Sequence, residues 1–356
     1  MTVRTIAYVA ALVMVLACLV TVILLVLIRV LRDRSEQRRR TVRAPVWREV
    51  MQLSTGEGEE VDLAQRRLAS ASATERAAVL GDAFALVPKL RGDARERLRD
   101  VLRSRGSMDQ ALALAHSRSH VRRCRGLYRL GILCDPAGRG SVLDALNDRD
   151  FAVRRSAMLA GAAFPDEETT SLLLQAAARD PQLRREFLGS VDRIGTPAIG
   201  VLTRALTETD RETEHETDAE HDRAGYLAAA ALGLVGAVQA IPALEAALLR
   251  GSDVRRVACI YALGELGAAS SVGVLSEAVQ QGSPNVRIAA AHGLGLIGSD
   301  AAVPALAECL SAEDVEVARA AANALKRCGA TGRDLLRESE APVAREVVAL
   351  ATLGSG

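Results

Sequence analysis

The chain reads as an all-α protein, a solenoid of stacked helical hairpins preceded by one transmembrane helix. Three observations predict this. Seven positions at which a first helix of a hairpin should end, Cys134, Pro165, Gly195, Gly236, Gly267, Gly298 and Gly329, are spaced by 31, 30, 41, 31, 31 and 31 residues. A period in this range means supersecondary units that bury their apolar faces only by stacking on neighbours. Within a unit, apolar residues recur twice at helical spacing, as Val257, Ile260, Leu263 and Leu266 and then Val274, Leu275, Ala278 and Val279, with a glycine-containing break between. Ile6 to Ile28, finally, is 23 residues without a charge, about 34 Å as a helix and enough to span a hydrocarbon core.

Taking the chain in order, residues 1–31 are expected to be the membrane anchor, with its helix at about 6–28. After it come Arg29, Arg32, Arg34, Arg38, Arg39, Arg40 and Arg43 against Asp33 and Glu36. A positive flank of this kind places the carboxyl side in the cytoplasm, so the expected location is the plasma membrane, single-pass, with the body cytoplasmic. A cleaved signal peptide would have a shorter apolar region and a small-residue site, whereas this run passes through Ala17 without pause. Val15, Leu16, Ala17 and Cys18 loosely match a lipoprotein cleavage box, but ten uncharged residues follow Cys18. Residues 32–60 form a basic juxtamembrane segment and a linker containing Pro45, Trp47 and the run Ser54 to Glu60.

Helical stretches resume at Asp62–Ser70, Thr74–Val87, Asp93–Ser104 and Met108–Ser117, so 61–118 is expected to be a divergent set of capping helices. The repeats proper occupy 119–352, with an acidic insertion at about 208–222. That insertion supplies the ten extra residues of the 41-residue interval and holds eight acids against one arginine; it should emerge as a loop between hairpins.

Two of the units read DVRRVACIYALGELGAASSVGVLSEAVQQG, from Asp253, and NVRIAAAHGLGLIGSDAAVPALAECLSAE, from Asn285. The Val254–Arg255–Arg256 and Val286–Arg287 segments, the Leu263–Gly264 and Leu294–Gly295 pairs, Gly267, Gly298 and Pro304 resemble the HEAT-repeat superfamily, and in particular the short bacterial subclass found in phycobilisome lyase-like proteins. Leu232–Gly233, Gly236 and Pro242 match well; Val121–Arg122–Arg123, Val153–Arg154–Arg155 and Leu183–Arg184–Arg185 match more loosely. The resemblance covers roughly residues 91–352 and implies a right-handed solenoid whose second helices line a concave groove. In similar repeats the recurring arginines, here 123, 155, 184, 256 and 287, bond across the stack, and that structural role is expected in preference to a phosphate-binding ladder.

Partner binding is therefore expected on the second helices. Alignment on Pro242, Gly273 and Pro304 places Glu245 with Ser276 and Arg250 with Gln281 at equivalent outward positions, with Thr203, Arg204 and Glu308 nearby. The expected function is a membrane-anchored cytoplasmic scaffold or adaptor; the alternative is a lyase-like or regulatory subunit holding a small ligand or an enzyme partner in the groove.

Other chemistries lack their residues. No phosphate-binding P-loop, nucleophile elbow or paired-histidine zinc motif occurs, and the Leu-Gly-x-x-Gly runs are helix ends. His215 and His221 beside Glu214, Glu216 and Asp222 are the one histidine and carboxylate cluster. A polar loop rarely fixes metal geometry, so no metal and no cofactor is expected. His–Glu pairs on repeat helices are the iron-binding signature of HEAT-like deoxyhypusine hydroxylases, and the sole pair here, His215–Glu216, is in the insertion. Without Arg4 and residues 29–43 the chain carries 37 basic against 42 acidic side chains, a net of −5, so nucleic acid is not an expected partner. Residues 91–139 run the other way, with 12 arginines against 5 acids, which suits anionic lipid or an acidic partner, the plain alternative being a solvated helix face. Cys18, Cys124, Cys134, Cys259, Cys309 and Cys328 form no C-x-x-C pair and read as small core residues.

Overall fold

The computed structural model describes Met14, Thr21, Arg29, 47–53, Gly56, 58–70, Ser72, 81–103, 106–207 and 218–353. The transmembrane expectation for 6–28, the topology arginines from Arg32 to Arg43 and the cluster around His215 lie outside the described residues. Among the described residues no helix is long and apolar enough to cross a membrane. The chain divides into two compact units, Met1–Met108 and Asp109–Gly356.

In the first unit, residues 47–53 are helical, followed by α1 (Glu59–Ser70) and α2 (Gly92–Arg103), with a 3-10 turn at Val87–Lys89. Its buried apolar side chains include Val50, Leu53, Val61, Leu68, Phe84, Val87, Leu98 and Leu102. Arg67 pairs with Glu49 at 3.0 Å, tying α1 to the preceding helix. The helices begin within three residues of the sequence expectation, and the pattern from Thr74 is described only from residue 81.

The second unit opens with α3 (Ser107–Ala115) and continues as an alternation. First helices are α4 (His120–Leu133), α6 (Phe151–Gly161), α8 (Arg184–Ile194), α10 (Asp218–Leu234), α12 (Asp253–Glu265), α14 (Pro284–Ile297), α16 (Val315–Leu325) and α18 (Pro342–Leu353). Second helices are α5 (Arg139–Asp144), α7 (Glu167–Arg179), α9 (Ile199–Thr207), α11 (Ile241–Arg250), α13 (Val272–Gln281), α15 (Val303–Glu308) and α17 (Gly329–Glu338). Each first helix packs on the next, from α4 through α18, and second helices pack on second helices at α7–α9, α9–α11, α13–α15 and α15–α17. This is a two-layer all-α solenoid.

The turns explain the period. Cys134, Gly195, Gly236, Gly267, Gly298 and Gly329 all have positive φ, so six of the seven anchor positions use the left-handed region that ends helices. At Gly236 and Gly267 the next N–H returns to the leucine of the Leu-Gly pair: Ala237 to the Leu232 carbonyl at 3.0 Å, Ala268 to that of Leu263 at 3.1 Å. Pro165 is the exception, because α6 ends at Gly161 and its last turn closes through Ala163 and Phe164.

The glycine of the same pair sets the spacing between units. A Cβ on Gly131 would lie 2.9 Å from the Ala160 Cα, on Gly233 3.0 Å from the Ala262 Cα, on Gly264 3.0 Å from the Gly293 Cα, and on Gly295 2.9 Å from the Ala324 Cα. These glycines let α4 approach α6, and α10, α12, α14 and α16 approach one another in turn, backbone to backbone, and the core beside them is filled by Leu130, Leu232, Leu263, Leu294 and Leu325, all fully buried.

One boundary departs from expectation. Residues Asp218–Asp222, assigned by sequence to the acidic loop, are the first residues of α10. Glu220 falls in the first turn of this 17-residue helix, where a carboxylate faces the positive end of the dipole, and Asp222 is tied to the stack by Arg255 at 3.0 Å.

Candidate functional site

The repeating arginines serve packing. Arg123 of α4 donates to the Ser117 and Arg118 carbonyls at 3.2 and 3.1 Å and pairs with Asp148 at 2.8 Å. One unit on, Arg154 of α6 donates to the Asp148 and Arg149 carbonyls at 2.9 and 3.2 Å and pairs with Asp180 at 2.7 Å. Asp148 therefore links two repeats, receiving one arginine on its carboxylate and the next on its carbonyl. Burial alone would raise its carboxyl, but the Asp150 N–H and the Arg123 guanidinium outweigh this and hold it below the usual aspartate range. The register corrects the sequence alignment: Arg154, not Arg155, matches Arg123, and Arg155 instead reaches Glu186 at 2.8 Å.

Within the Val–Arg–Arg segments the inward residue varies. Twelve residues before each turn stands a core position, filled by buried Val153, Leu183, Val286 and Val317. In α12 that position is Arg255, 2% exposed, while Val254 is 58% exposed. Arg255 fits because its neighbours are glycines: a Cβ on Gly225 would meet its Nε at 2.5 Å, and one on Gly251 its Cδ at 3.0 Å. Sequence reading missed this buried arginine and its pair with the part-exposed Asp222. The signal was present in Asp222, Gly225, Gly251 and Arg255, but it requires the register to be known first.

The second helices are held in place by polar bonds between neighbours. Arg204 of α9 reaches Glu167 of α7 at 3.1 Å. The Ser271 hydroxyl, buried at the entrance to α13, donates to Glu245 of α11 at 2.6 Å. Gln280 of α13 donates to Glu308 of α15 at 2.5 Å. Of the residues expected to meet a partner, Arg204, Arg250, Gln281 and Glu308 are exposed, and Thr203, Ser276 and Glu245 are half-buried. Glu245 is committed to Ser271 and Glu308 to Gln280, so neither is a freely offered charge.

Between α7, α9 and the start of α10 lies a cleft of about 420 Å³. Leu174, Ala178, Val201, Ala205 and Ala224 give it an apolar lining, and Glu167, Glu168, Ser171, Gln175, Arg204 and His221 are its polar residues. The α7 wall is fixed by its cap. Asp166 accepts the Thr169 N–H at 2.8 Å, and Arg139 grips both Asp166 oxygens at 3.0 and 2.9 Å and Glu168 at 2.6 Å. Burial opposes ionisation of Asp166, yet Arg139 and Thr169 hold its carboxyl below the usual range. Sequence alignment placed Arg204 on this surface but did not find the cleft, which depends on α7 and α10 meeting across the insertion.

Nothing else among the described residues gathers chemistry. No group of three or more metal-ligating side chains occurs there. Cys259, Cys309 and Cys328 are buried, and burial pushes the Cys259 thiol up to about 12, the opposite of an activated nucleophile. His292 is exposed on the edge of α14, at the position of Tyr261 in α12.

Two-layer stacking of helical hairpins joined at positive-φ turns defines an α-solenoid. The family described as HEAT repeats matches residues 252–326, which cover the end of α11's turn through α16. No curated protein sequence matches the chain significantly. Among solved structures, the CpcE–CpcF complex of phycocyanin lyase from Nostoc is similar over 68% of this chain and 92% of its own, at 21% identity and a TM-score of 0.31. Human deoxyhypusine hydroxylase in complex with glycerol is similar over 70% and 95%, at 25% identity and 0.31. A designed armadillo repeat protein in complex with the peptide (KR)4 is similar over 69% and 99%, at 17% identity and 0.33.

Proposed function

We propose that this chain is a membrane-anchored scaffold or adaptor whose repeat unit lies on the cytoplasmic side and holds a protein partner across its second helices. HEAT-type repeats of this kind suit protein interaction, since stacking yields a long surface whose elements are fixed relative to one another. The observation that carries the reading is the cross-bonding of successive second helices, Arg204 to Glu167, Ser271 to Glu245 and Gln280 to Glu308. Such a surface is preorganised, so a partner loses little binding energy to ordering it. The 23 uncharged residues at 6–28 and the seven arginines that follow support the anchor and its orientation. Tethering would raise the effective concentration of the surface near other membrane proteins.

The orientation is tested by fusing an export-dependent alkaline phosphatase to the C-terminus. A cytoplasmic body gives no phosphatase activity; strong activity reverses the topology. A second reading is favoured by the α7–α9 cleft, whose volume and apolar lining suit a small ligand. Saturable thermal stabilisation by one member of a metabolite panel, lost in Leu174→Trp, would select it over the scaffold.

A further inference from the structure

The arginine surplus of residues 91–139 divides, in the structure, into spent and unspent charge. In α2, Arg97 donates to the Leu53 carbonyl at 3.3 Å, Arg99 pairs with Glu96 at 2.6 Å and Arg103 with Asp100 at 3.3 Å. Arg123 is taken by Asp148, and Arg139 by Asp166 and Glu168. Arg91 and Arg95 in the first unit and Arg118, Arg122 and Arg125 in the second differ: all are exposed, and among the described residues none meets a carboxylate; the last three gather on and beside one helix.

These three lie together with apolar side chains. At 3.6 residues per turn, Val121, Arg122, Arg125, Tyr128 and Arg129 fall within an arc of about 120° on α4. Val121 is 57% and Tyr128 47% exposed, and Leu159, which occupies the Tyr128 position one repeat on, is 41% exposed. Arg122 stands at the core position that later repeats fill with buried Val153, Leu183, Val286 and Val317. Burial, and after it the Arg125 charge, hold Arg129 below the usual guanidinium range. Like charges three and four residues apart on a helix destabilise it, so folding gains nothing from this stripe, and its chemistry is that of an anion-facing surface.

We propose that this face of α4, extended by Arg118 and Leu159, docks on an anionic phospholipid bilayer. Guanidinium groups bind phosphate oxygens in a planar fork, and an aromatic phenol beside them sits well at headgroup depth, where one end of the side chain is apolar and the other wet. Exposed guanidiniums strung along one helix suit a laterally continuous anionic surface better than a single carboxylate. The presence of a bilayer within reach rests on the anchor reading given above; the charge pattern does not.

The test uses the full chain in vesicles of phosphatidylcholine alone and of phosphatidylcholine mixed equally with phosphatidylglycerol, with amide hydrogen exchange followed over residues 118–129. Exchange there is expected to slow about tenfold in the mixed vesicles only and to recover at high salt. Arg118→Glu, Arg122→Glu and Arg125→Glu combined should abolish the protection, and the milder Arg122→Gln with Arg125→Gln should reduce it. Exchange over 253–297 reports whether each variant is folded, and reversal at exposed Arg333 and Arg345 is the charge-matched control. Equal protection in both vesicles, no protection in either, or protection that survives the triple variant overturns the proposal; an acidic protein partner would give the second outcome. Failure of the chain to stay with vesicles of either kind after a high-salt wash refutes the anchor instead, and the α4 surface is then read by adding mixed vesicles to the soluble chain.

Discussion

Gly295→Ala isolates the contact that sets the repeat spacing. The added Cβ would lie 2.9 Å from the Ala324 Cα and 3.0 Å from its Cβ, closer than two carbons approach without repulsion, and both neighbours are helix backbone or a methyl with nowhere to rotate. Accommodation requires α14 and α16 to separate, thinning the contacts of Leu294 and Leu325, both fully buried. Overpacking of this kind costs about 1–3 kcal/mol. Against it stands the helix propensity of alanine over glycine, about 1 kcal/mol, so the net change should run from near zero to about 2 kcal/mol destabilising. Gly189→Ala in α8 removes the ambiguity, because that glycine is helical and nothing lies within 4 Å of its Cβ position; it should be stabilising by about 0.5–1 kcal/mol. The informative quantity is the difference between the two variants in urea denaturation, expected at about 1–3 kcal/mol. Indistinguishable shifts would mean that the glycines of the Leu-Gly pairs are not spacers, and the packing account would fail with them.

Leu263→Ala should cost about 2–5 kcal/mol, and because stacked units stabilise one another, faster amide exchange should extend into α10 and α14; loss confined to α12 would contradict the stacking. Asp148→Asn should destabilise by about 1–3 kcal/mol at neutral pH. The folded carboxyl is depressed, so its stabilisation is complete above the usual aspartate range and is lost as pH falls through the folded value; the gap between wild type and variant should therefore close below about pH 4, and a gap that widens on acidification would show that the Arg123 pair is not its source. Excision of residues 210–215 should leave the thermal midpoint nearly unchanged, since connector length costs only about 0.6 kcal/mol per doubling and α9 and α10 keep their ends; unfolding on excision would make those residues structural.

The solenoid was legible because its signals are local and repeated. A glycine at five of the six positive-φ anchor turns, with Cys134 at the sixth, and a leucine before the Leu-Gly glycine recur along the repeats, and each has one physical use in the structure. Register within a repeat was less legible. Val121 and Val254 look like core residues in sequence yet are exposed, because the neighbouring arginine takes the inward position in α12 and no sequence rule separates two adjacent candidates without the stacking partner. The boundary of the acidic insertion was misplaced for a related reason: alternating acids carry no apolar period, so the start of α10 is invisible until Asp222 is seen against Arg255. Of the expected partner-facing residues, Glu245 was legible as second-helix but not as the acceptor of the buried Ser271 hydroxyl, a bond between units 26 residues apart. The cleft could not be read at all, since it is the space left where α7, α9 and α10 meet.

The claim that partners lie across the second helices is tested most directly by site-specific photo-crosslinking in native membranes. A photoreactive amino acid is placed at Thr203, Ser276 or Gln281 on the second helices, and at His292 or Asn323 on the first. The account predicts a discrete adduct of the same mass from the second-helix positions, absent from the first-helix positions and lost when Arg204 and Arg250 are reversed to glutamate in a chain of unchanged thermal midpoint. Adducts from His292 or Asn323 with none from Thr203, Ser276 or Gln281 would put the partner on the opposite layer and contradict it.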